Sequence, residues 1–312
     1  MSNNRKQGPQ DDYYVCPVCK QQLIPTAKGF FCQRDGVEYP VNNGIPDFVV
    51  EDQTKSTNPF LSSFDSVANI YEGPSSDEGP SWYSIMNQIN AELSLPSIEE
   101  MIGTLTKMVD AKNGVGLDVA CGTGYVTRSI AQHMRLVYGI DLSMGMLDQA
   151  TQYARERGIR NVRFARSRAE RLPFPDAVFD AVTSSLALQL FPDIVEALSE
   201  MARVLKTGGR LAVLAPVKGD PSVYKMFLER MEEPTIKRFI ECLRTSIPLD
   251  ENMLEAIRNS DVERLEKYLS QAGMHLFDAE ELDGYLSQAG FKGFAYGIYG
   301  HLILFQAEKG EK

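Results

Sequence analysis

The sequence predicts an α/β fold: a largely parallel sheet with helices on its faces, a small cysteine-bearing unit ahead of it, and a helical insertion late in the chain. Three observations carry that expectation. From Gly114 onward, short apolar runs alternate with amphipathic segments, the pattern of strands joined by crossover helices. Before that point, three of the five cysteines crowd into residues 16–32. Residues 220–275 keep helical periodicity with no strand signal.

A chain of 312 residues fits about two domains. Residues 1–12 are polar and are expected to be a disordered tail. The stretch MSNNRKQGPQDDYY has no apolar leader core, and no run approaches the roughly 18 apolar residues of a membrane helix, so no membrane span and a cytoplasmic location are expected. With 42 acidic and 32 basic side chains, the formal charge of −10 argues mildly against wrapping a polyanion.

The first folded unit is expected over residues 13–50. It holds CPVCKQQLIPTAKGFFCQRDG, a C-x2-C pair, twelve residues and then Cys32. A cysteine count like this is no disulfide framework, and a unit under about 40 residues usually needs a metal or a larger partner. Cys16, Cys19 and Cys32 are candidate thiolate ligands of a structural zinc ion. Asp35 stands where a second C-x2-C would end, so Asp35 or a water would close the tetrahedron. The alternative is a metal-free unit held by packing of Tyr39, Pro40 and Ile45 on the larger domain. Residues 51–59 are polar and end in proline, a linker; residues 60–312 form the larger domain. It opens with helical pieces over 60–110, broken by the loop EGPSSDEGP.

Further elements follow in order. GVGLDVA is a strand, leading into a helix from about Tyr125 to Met134. RLVYGID is the next strand, and Ser143 is placed to N-cap a helix ended by Gly158. VRFARS, VFDAVTSS and RLAVLAP supply three more strands, and the helix DIVEALSEMARVL is expected to stop at Gly208-Gly209. The helix AEELDGYLSQAG then precedes the strands FKGFAYGIY and HLILFQAE. The hexapeptide YLSQAG occurs twice, and two copies make similar helix ends rather than a solenoid.

LDVACGTGY links a strand to a helix, and its glycines let the backbone bend tightly and approach a ligand. Asp141 ends the next strand, where a carboxylate can accept both hydroxyls of a ribose. The loop lacks the full G-x-G-x-x-G of a dinucleotide site. The ordered set LDVACGTG, GIDLS, AERLPFPDAVFDAV, SSLALQLFPD and EMARVLKTGGRLAV resembles class I S-adenosylmethionine-dependent methyltransferases, most closely the ubiquinone/menaquinone-type group. That resemblance implies a Rossmann-like seven-stranded sheet closed by an antiparallel strand, and a substrate cap over about 220–275. It implies S-adenosylmethionine as cofactor, with Asp118, Ala120, Gly122 and Gly124 on its methionine part and Asp141 on the ribose. Leu142 and Met144 would flank the adenine, Ala169 would meet its edge, and Ser185 would line the transfer pocket. Tyr71 matches a tyrosine on an N-terminal helix that closes over the cofactor.

Two positions depart from the family. Relatives carry an acid where this chain has Arg168, and arginine has no acceptor, so Ser167 or a backbone carbonyl would have to take the adenine amino group. Gln189 stands where relatives often have histidine and cannot titrate. His275 is then the remaining candidate base, with Gln189 and Tyr71 the other catalytic candidates.

CPVCKQQL with YPVNNGIPDFV is similar to the small zinc-ribbon proteins that partner tRNA and protein methyltransferases, and less completely to ribosomal-RNA guanine-N1 methyltransferases. Three functions are therefore expected in order: methyl transfer to a small, partly apolar acceptor; methylation of RNA gripped by the ribbon and by the arginines at 155, 157, 160, 163, 166, 168 and 171; or a non-catalytic cofactor-binding partner protein.

Overall fold

The computed structural model describes residues 13–49, 61–72, 80–218, 222–230, 232, 234, 236–237, 251–271 and 274–311. The expected tail 1–12 and linker 51–59 lie outside the described residues, as does most of the loop EGPSSDEGP.

The small unit is an antiparallel sheet of β1 (Ile24–Pro25), β2 (Gly29–Cys32), β3 (Val37–Asn42) and β4 (Ile45–Pro46), in that order. Three helices follow: α1 (Leu61–Tyr71), α2 (Trp82–Glu92) and α3 (Ile98–Met108). Ser97 and Glu100 form a reciprocal capping box that fixes where α3 begins.

The larger sheet takes its parallel strands from β5 (Val115–Val119), β6 (Leu136–Asp141), β7 (Val162–Arg166), β8 (Phe179–Ser185) and β9 (Leu205–Pro216). Helices α4 (Tyr125–Ala131), α5 (Met144–Glu156) and α6 (Ile194–Val204) make crossovers. The pair β10 (Phe291–Tyr299) and β11 (Leu302–Lys309) adds antiparallel to β9, giving the order β10-β11-β9-β8-β5-β6-β7. All five residues of β5 are buried, as a central strand covered on both faces requires. Strand order reverses between β5 and β8, so a crevice opens at the carboxyl ends of these strands.

Between β9 and β10 the described chain is helical: α7 (Ser222–Glu229), α8 (Glu251–Arg258), α9 (Val262–Gln271) and α10 (Ala279–Gln288). Both copies of YLSQAG fall at helix ends, those of α9 and α10.

One expected boundary is corrected. The helix α6 ends at Val204 rather than at Gly208-Gly209, because the Val204 carbonyl accepts the Val178 amide at 2.8 Å, and the chain continues as β9 through both glycines.

The small unit docks on the open edge of the sheet. The Phe48 amide donates to the Arg166 carbonyl of β7 at 2.8 Å, and the Val15 amide to the Pro173 carbonyl at 2.9 Å. Tyr14 meets Tyr138, Phe174 and Phe48 with ring centroids 5.5, 5.5 and 5.0 Å apart. Lys20 Nζ reaches Glu200 at 2.8 Å. One continuous apolar cluster therefore includes Tyr14, Tyr39 and Phe48 of the small unit and Leu117, Tyr138 and Phe174 of the large one. Tyr39 and Ile45 are buried as the packing alternative expects, but Pro40 is exposed and takes no part.

Gly139 of β6 lies under the ring of Phe164: a Cβ there would meet the ring at 2.8 Å and Cys121 Sγ at 2.9 Å. Gly139→Ala is expected to destabilise by about 1–3 kcal/mol through overpacking. Gly284→Ala, inside α10 with open space around it, is expected to stabilise by roughly 0.5–1 kcal/mol; urea unfolding of both variants checks the pair.

Candidate functional site

The crevice at the switch point is floored by the loop after β5. Ala120 (φ +55°), Gly122 (φ +52°) and Gly124 (φ +76°) all take left-handed backbone, which turns the chain sharply from β5 into α4. Asp118 lies beneath the loop, 1% exposed; one oxygen accepts from the Thr127 hydroxyl at 2.6 Å and the other from the Thr183 hydroxyl at 2.8 Å. Burial pushes its carboxyl up to about 6.

Asp141, at the end of β6, accepts from the Gly122 amide at 2.9 Å and from the Ser143 amide at 2.8 Å. Its carboxylate therefore ties the glycine loop to the start of α5, which Ser143 caps by accepting the Met146 amide at 3.1 Å. Burial raises the Asp141 pKa as well.

One cavity is lined by Asp118, Ala120, Gly122, Asp141, Leu142, Ser167, Ala169 and Ser185, eight of the residues expected at the cofactor. Gly124 and Met144 are absent from the lining. Gly124 N-caps α4 behind the loop, and Met144 packs toward Leu147 and Phe164. Tyr71 also lines the cavity. Ser167 Oγ donates to the Arg168 and Arg171 carbonyls at 3.3 and 3.2 Å. Arg168 is on the wall with its guanidinium 3.5 Å from Glu170. His275 and Gln189 are not in the lining. Instead His275 is held by Glu281 at 2.7 Å, and Gln189 donates to the Leu186 carbonyl at 2.7 Å.

Several further residues line the cavity that were not expected at the site. Val49 comes from the small unit, and Arg166 beside it binds the Asp47 carboxylate at 3.0 Å and the Leu142 carbonyl at 2.8 Å. Tyr83 and Tyr125 stand edge to face at 5.5 Å, and Tyr71 meets Tyr83 at 5.5 Å. Phe64, Leu186, Leu190 and Phe191 complete an apolar half. Leu186, like Ala120, is a non-glycine residue at φ +55° on the cavity wall.

No described residue of 220–275 lines the cavity. Met226 is buried with Ile236 in the core under α3, and Met253 packs with Leu265 and Leu269 behind Phe64 and Leu190. Leu254 is half-buried. Met231, Phe239 and Ile240, and the side chain of Phe227, lie outside the described residues.

A second cluster joins Cys16, Cys19, Cys32 and Asp35, whose ligand atoms all lie within 4.8 Å of one another. Neighbouring separations are 3.1 Å for Cys16–Asp35, 3.4 Å for Cys32–Asp35 and 3.5 Å for Cys19–Cys32. A tetrahedron with bonds of about 2.0–2.3 Å has edges of roughly 3.3–3.8 Å, so the group could hold a metal ion.

Comparison with known proteins agrees with this geometry. A family model described as a methyltransferase domain matches residues 117–213. The chain is 34% identical over 122 residues to the uncharacterized methyltransferase YcgJ of Bacillus subtilis, covering 38% of this chain and 48% of the relative. It is 39% identical over 114 residues to demethylmenaquinone methyltransferase of Geobacillus sp., covering 36% and 49%. The chain thus spans about half the length of those two relatives. It is 30% identical over 176 residues to aklanonic acid methyltransferase DauC of Streptomyces sp., covering 50% of this chain and 78% of the relative. The complex of the Haloferax volcanii Trm112 methyltransferase activator with a protein assigned as a methyltransferase shares the fold, with a TM-score of 0.51, 14% identity, and coverage of 80% of this chain and 98% of that one. The strand order, the glycine loop with its acidic partner, and a relative matched over most of its length together establish that this chain belongs to the class I S-adenosylmethionine-dependent methyltransferases.

Proposed function

We propose that the protein binds S-adenosylmethionine across the loop 120–124 and Asp141, and transfers its methyl group to a small, partly apolar acceptor held in the same cavity. The observation that carries this reading is the convergence of the loop, the acid at the next strand end and an apolar aromatic half in one cavity. The cofactor supplies a methyl group on a sulfonium, ready for in-line displacement. The protein's part is alignment and exclusion of water. Asp118 and the loop backbone hold the ammonium end, Asp141 takes the ribose hydroxyls, and Leu142 packs against the adenine.

The tyrosines of the apolar half do not serve as bases. Burial pushes Tyr71 up to about 12 and Tyr83 well above the ordinary phenol value, so both stay protonated near neutrality. The acceptor is therefore activated without help from these two phenols. The named relatives act on demethylmenaquinone and aklanonic acid, which supports a planar quinone-type or polyketide-type acceptor.

The RNA reading finds less support in the arginines. Three of the seven are engaged by acids of the chain itself: Arg157 by Glu72, Arg166 by Asp47 and Arg168 by Glu170. No helix among the described residues is long and apolar enough to cross a membrane.

We assign zinc to Cys16, Cys19, Cys32 and Asp35 as a structural ion that keeps the small unit folded against β7. Its support is the donor set and the gathering of its four ligand atoms within 4.8 Å of one another. Purified, chelator-free protein is expected to hold one zinc per chain, and less than a tenth of an equivalent rejects the site. Cys32→Ser is expected to lower stability by several kcal/mol, since structural metal binding is folding free energy in such small units.

Calorimetric titration with S-adenosylmethionine is expected to show one site in the range of about 1 μM to 1 mM typical of enzyme substrates, and Asp141→Ala to weaken it at least tenfold. Asp118 adds a pH dependence. Its carboxyl is ionised above about 6, and a bound ammonium favours the ionised form. Affinity should be level above that pH and fall below it, approaching tenfold per unit; Asp118→Asn should flatten the profile. Absence of any binding heat with the cofactor would sink the reading. Radiolabelled methyl transfer across a panel of hydroxyquinones and polyketide acids then identifies the acceptor.

A further inference from the structure

One wall of the cavity is formed by α1, through Phe64 and Tyr71. Among its described side chains, Val67 and Ala68 are buried against Met146 of α5 with Phe64, Ile70 and Tyr71 packed around them, and Tyr71 meets the rings of Trp82 and Tyr83. Polar anchors hold it at two points, one within the helix and one just past its end. Asp65 accepts from the Ser143 hydroxyl at 2.5 Å and from the Gly145 amide at 3.0 Å. The approach is close enough that a Cβ on Gly145 would meet the Asp65 carbonyl oxygen at 3.1 Å.

Just past the helix Glu72 is buried, 5% exposed, and paired with Arg128, which is equally buried. Glu72 also accepts from the Thr123 hydroxyl at 2.9 Å and from Arg157 at 3.3 Å, and its backbone carbonyl accepts from Tyr153 at 2.6 Å. Arg128 in turn donates to the Thr123 carbonyl at 2.5 Å. Thr123 lies between the two glycines of the loop, so both its hydroxyl and its carbonyl are fixed by a network that ends on α1.

We propose that Glu72 is a positioning residue that latches α1 shut and holds the glycine loop in its ligand-binding shape, so that release of the bound cofactor requires the latch to open. This inference rests on the cofactor reading above. Opening separates a buried carboxylate from a buried guanidinium, and an uncompensated buried charge is costly. Asp65 is the second anchor: it bonds the turn that begins α5, next to the Asp141 carboxylate. Tyr71 precedes Glu72 and lines the cavity, so the latch also places that ring.

Stopped-flow binding and release of S-adenosylhomocysteine by the full chain tests this. Glu72→Gln is expected to raise the release rate at least tenfold while changing the binding rate less than threefold. Asp65→Asn, at an exposed position, is expected to raise release severalfold with the unfolding midpoint of the free protein unchanged. A merely structural ion pair would lower the midpoint of the Glu72 variant and leave release from the Asp65 variant at the wild-type rate. If Glu72→Gln does not fold, Asp65→Asn decides alone. Release rates within twofold of wild type in the folded variants overturn the latch and leave the cofactor reading standing. Failure of the wild-type chain to bind S-adenosylhomocysteine overturns the cofactor reading, and the latch with it.

Discussion

The carboxyl group of Asp118 lies under the glycine loop, 1% exposed in the middle of a parallel sheet, and the architecture of the switch point follows from its need for partners. A buried acid must be hydrogen-bonded or protonated. Two threonine hydroxyls meet that need, Thr127 from α4 and Thr183 from β8. They come from the elements on either side of the point where strand order reverses. One acid thereby fixes the start of α4 against the ends of β5 and β8. The loop between them is then short and tightly turned, and Asp141 closes the arrangement by accepting the Gly122 amide.

The second constraint is an open edge. A parallel strand at the border of a sheet presents unpaired amides and carbonyls that must be covered. At β7 the cover is the small unit, whose Phe48 amide satisfies the Arg166 carbonyl. The unit gains as much as it gives. Four short strands bury little on their own, yet Tyr14, Tyr39 and Phe48 join the core of the larger sheet. The thiol of Cys16 lies 3.3 Å from the Tyr39 hydroxyl, and the Tyr39 ring lies 5.4 Å from that of Phe48. The cysteine cluster is thus two side chains away from the strand pairing, and the same segment carries Asp47 and Val49 to the cavity. A motif that looks remote in sequence stands close behind the wall that Val49 and Arg166 form.

What the sequence made legible was local. Alternating apolar runs announced the strands of the sheet, and the short spacing from Asp118 to Asp141 announced the loop with its acidic partner. Cysteine spacing announced the grouping of Cys16, Cys19 and Cys32 and left Asp35 or a water beside them; the structure gathers Asp35 with the three thiols. What stayed hidden was non-local. Glu72 and Arg128 are 56 positions apart, and Asp47 and Arg166 are 119 apart. Nothing in the neighbourhood of either acid marks it as other than a surface charge. The rings of the cavity's apolar half stayed hidden for a related reason. Much of 220–275 lies outside the described residues, and for the helices that are described, composition does not say which face is used. Met253 and Leu265 use theirs to pack on each other, while Tyr83 and Tyr125 provide the rings.

The backbone bears on the site as well as the side chains. Ala120 and Leu186 follow β5 and β8, adopt left-handed conformations without being glycine, and both line the cavity. Such residues cost on the order of 1–3 kcal/mol each and persist only where the surroundings over-determine them. Here the surroundings do so. The Cys121 amide after Ala120 is held by the Ile140 carbonyl at 2.9 Å, and the Leu186 amide by the Leu214 carbonyl at 2.7 Å. Each strained residue is thus clamped by a neighbouring strand, one on either side of the switch point. The sheet interior supplies the stability, and the carboxyl ends of β5 and β8 hold the strained turns, the buried acid and the cavity together. The loop is correspondingly well determined: the Cys121 amide donates to the Ile140 carbonyl, the Gly122 amide to the Asp141 carboxylate and the Gly124 amide to the Cys121 carbonyl.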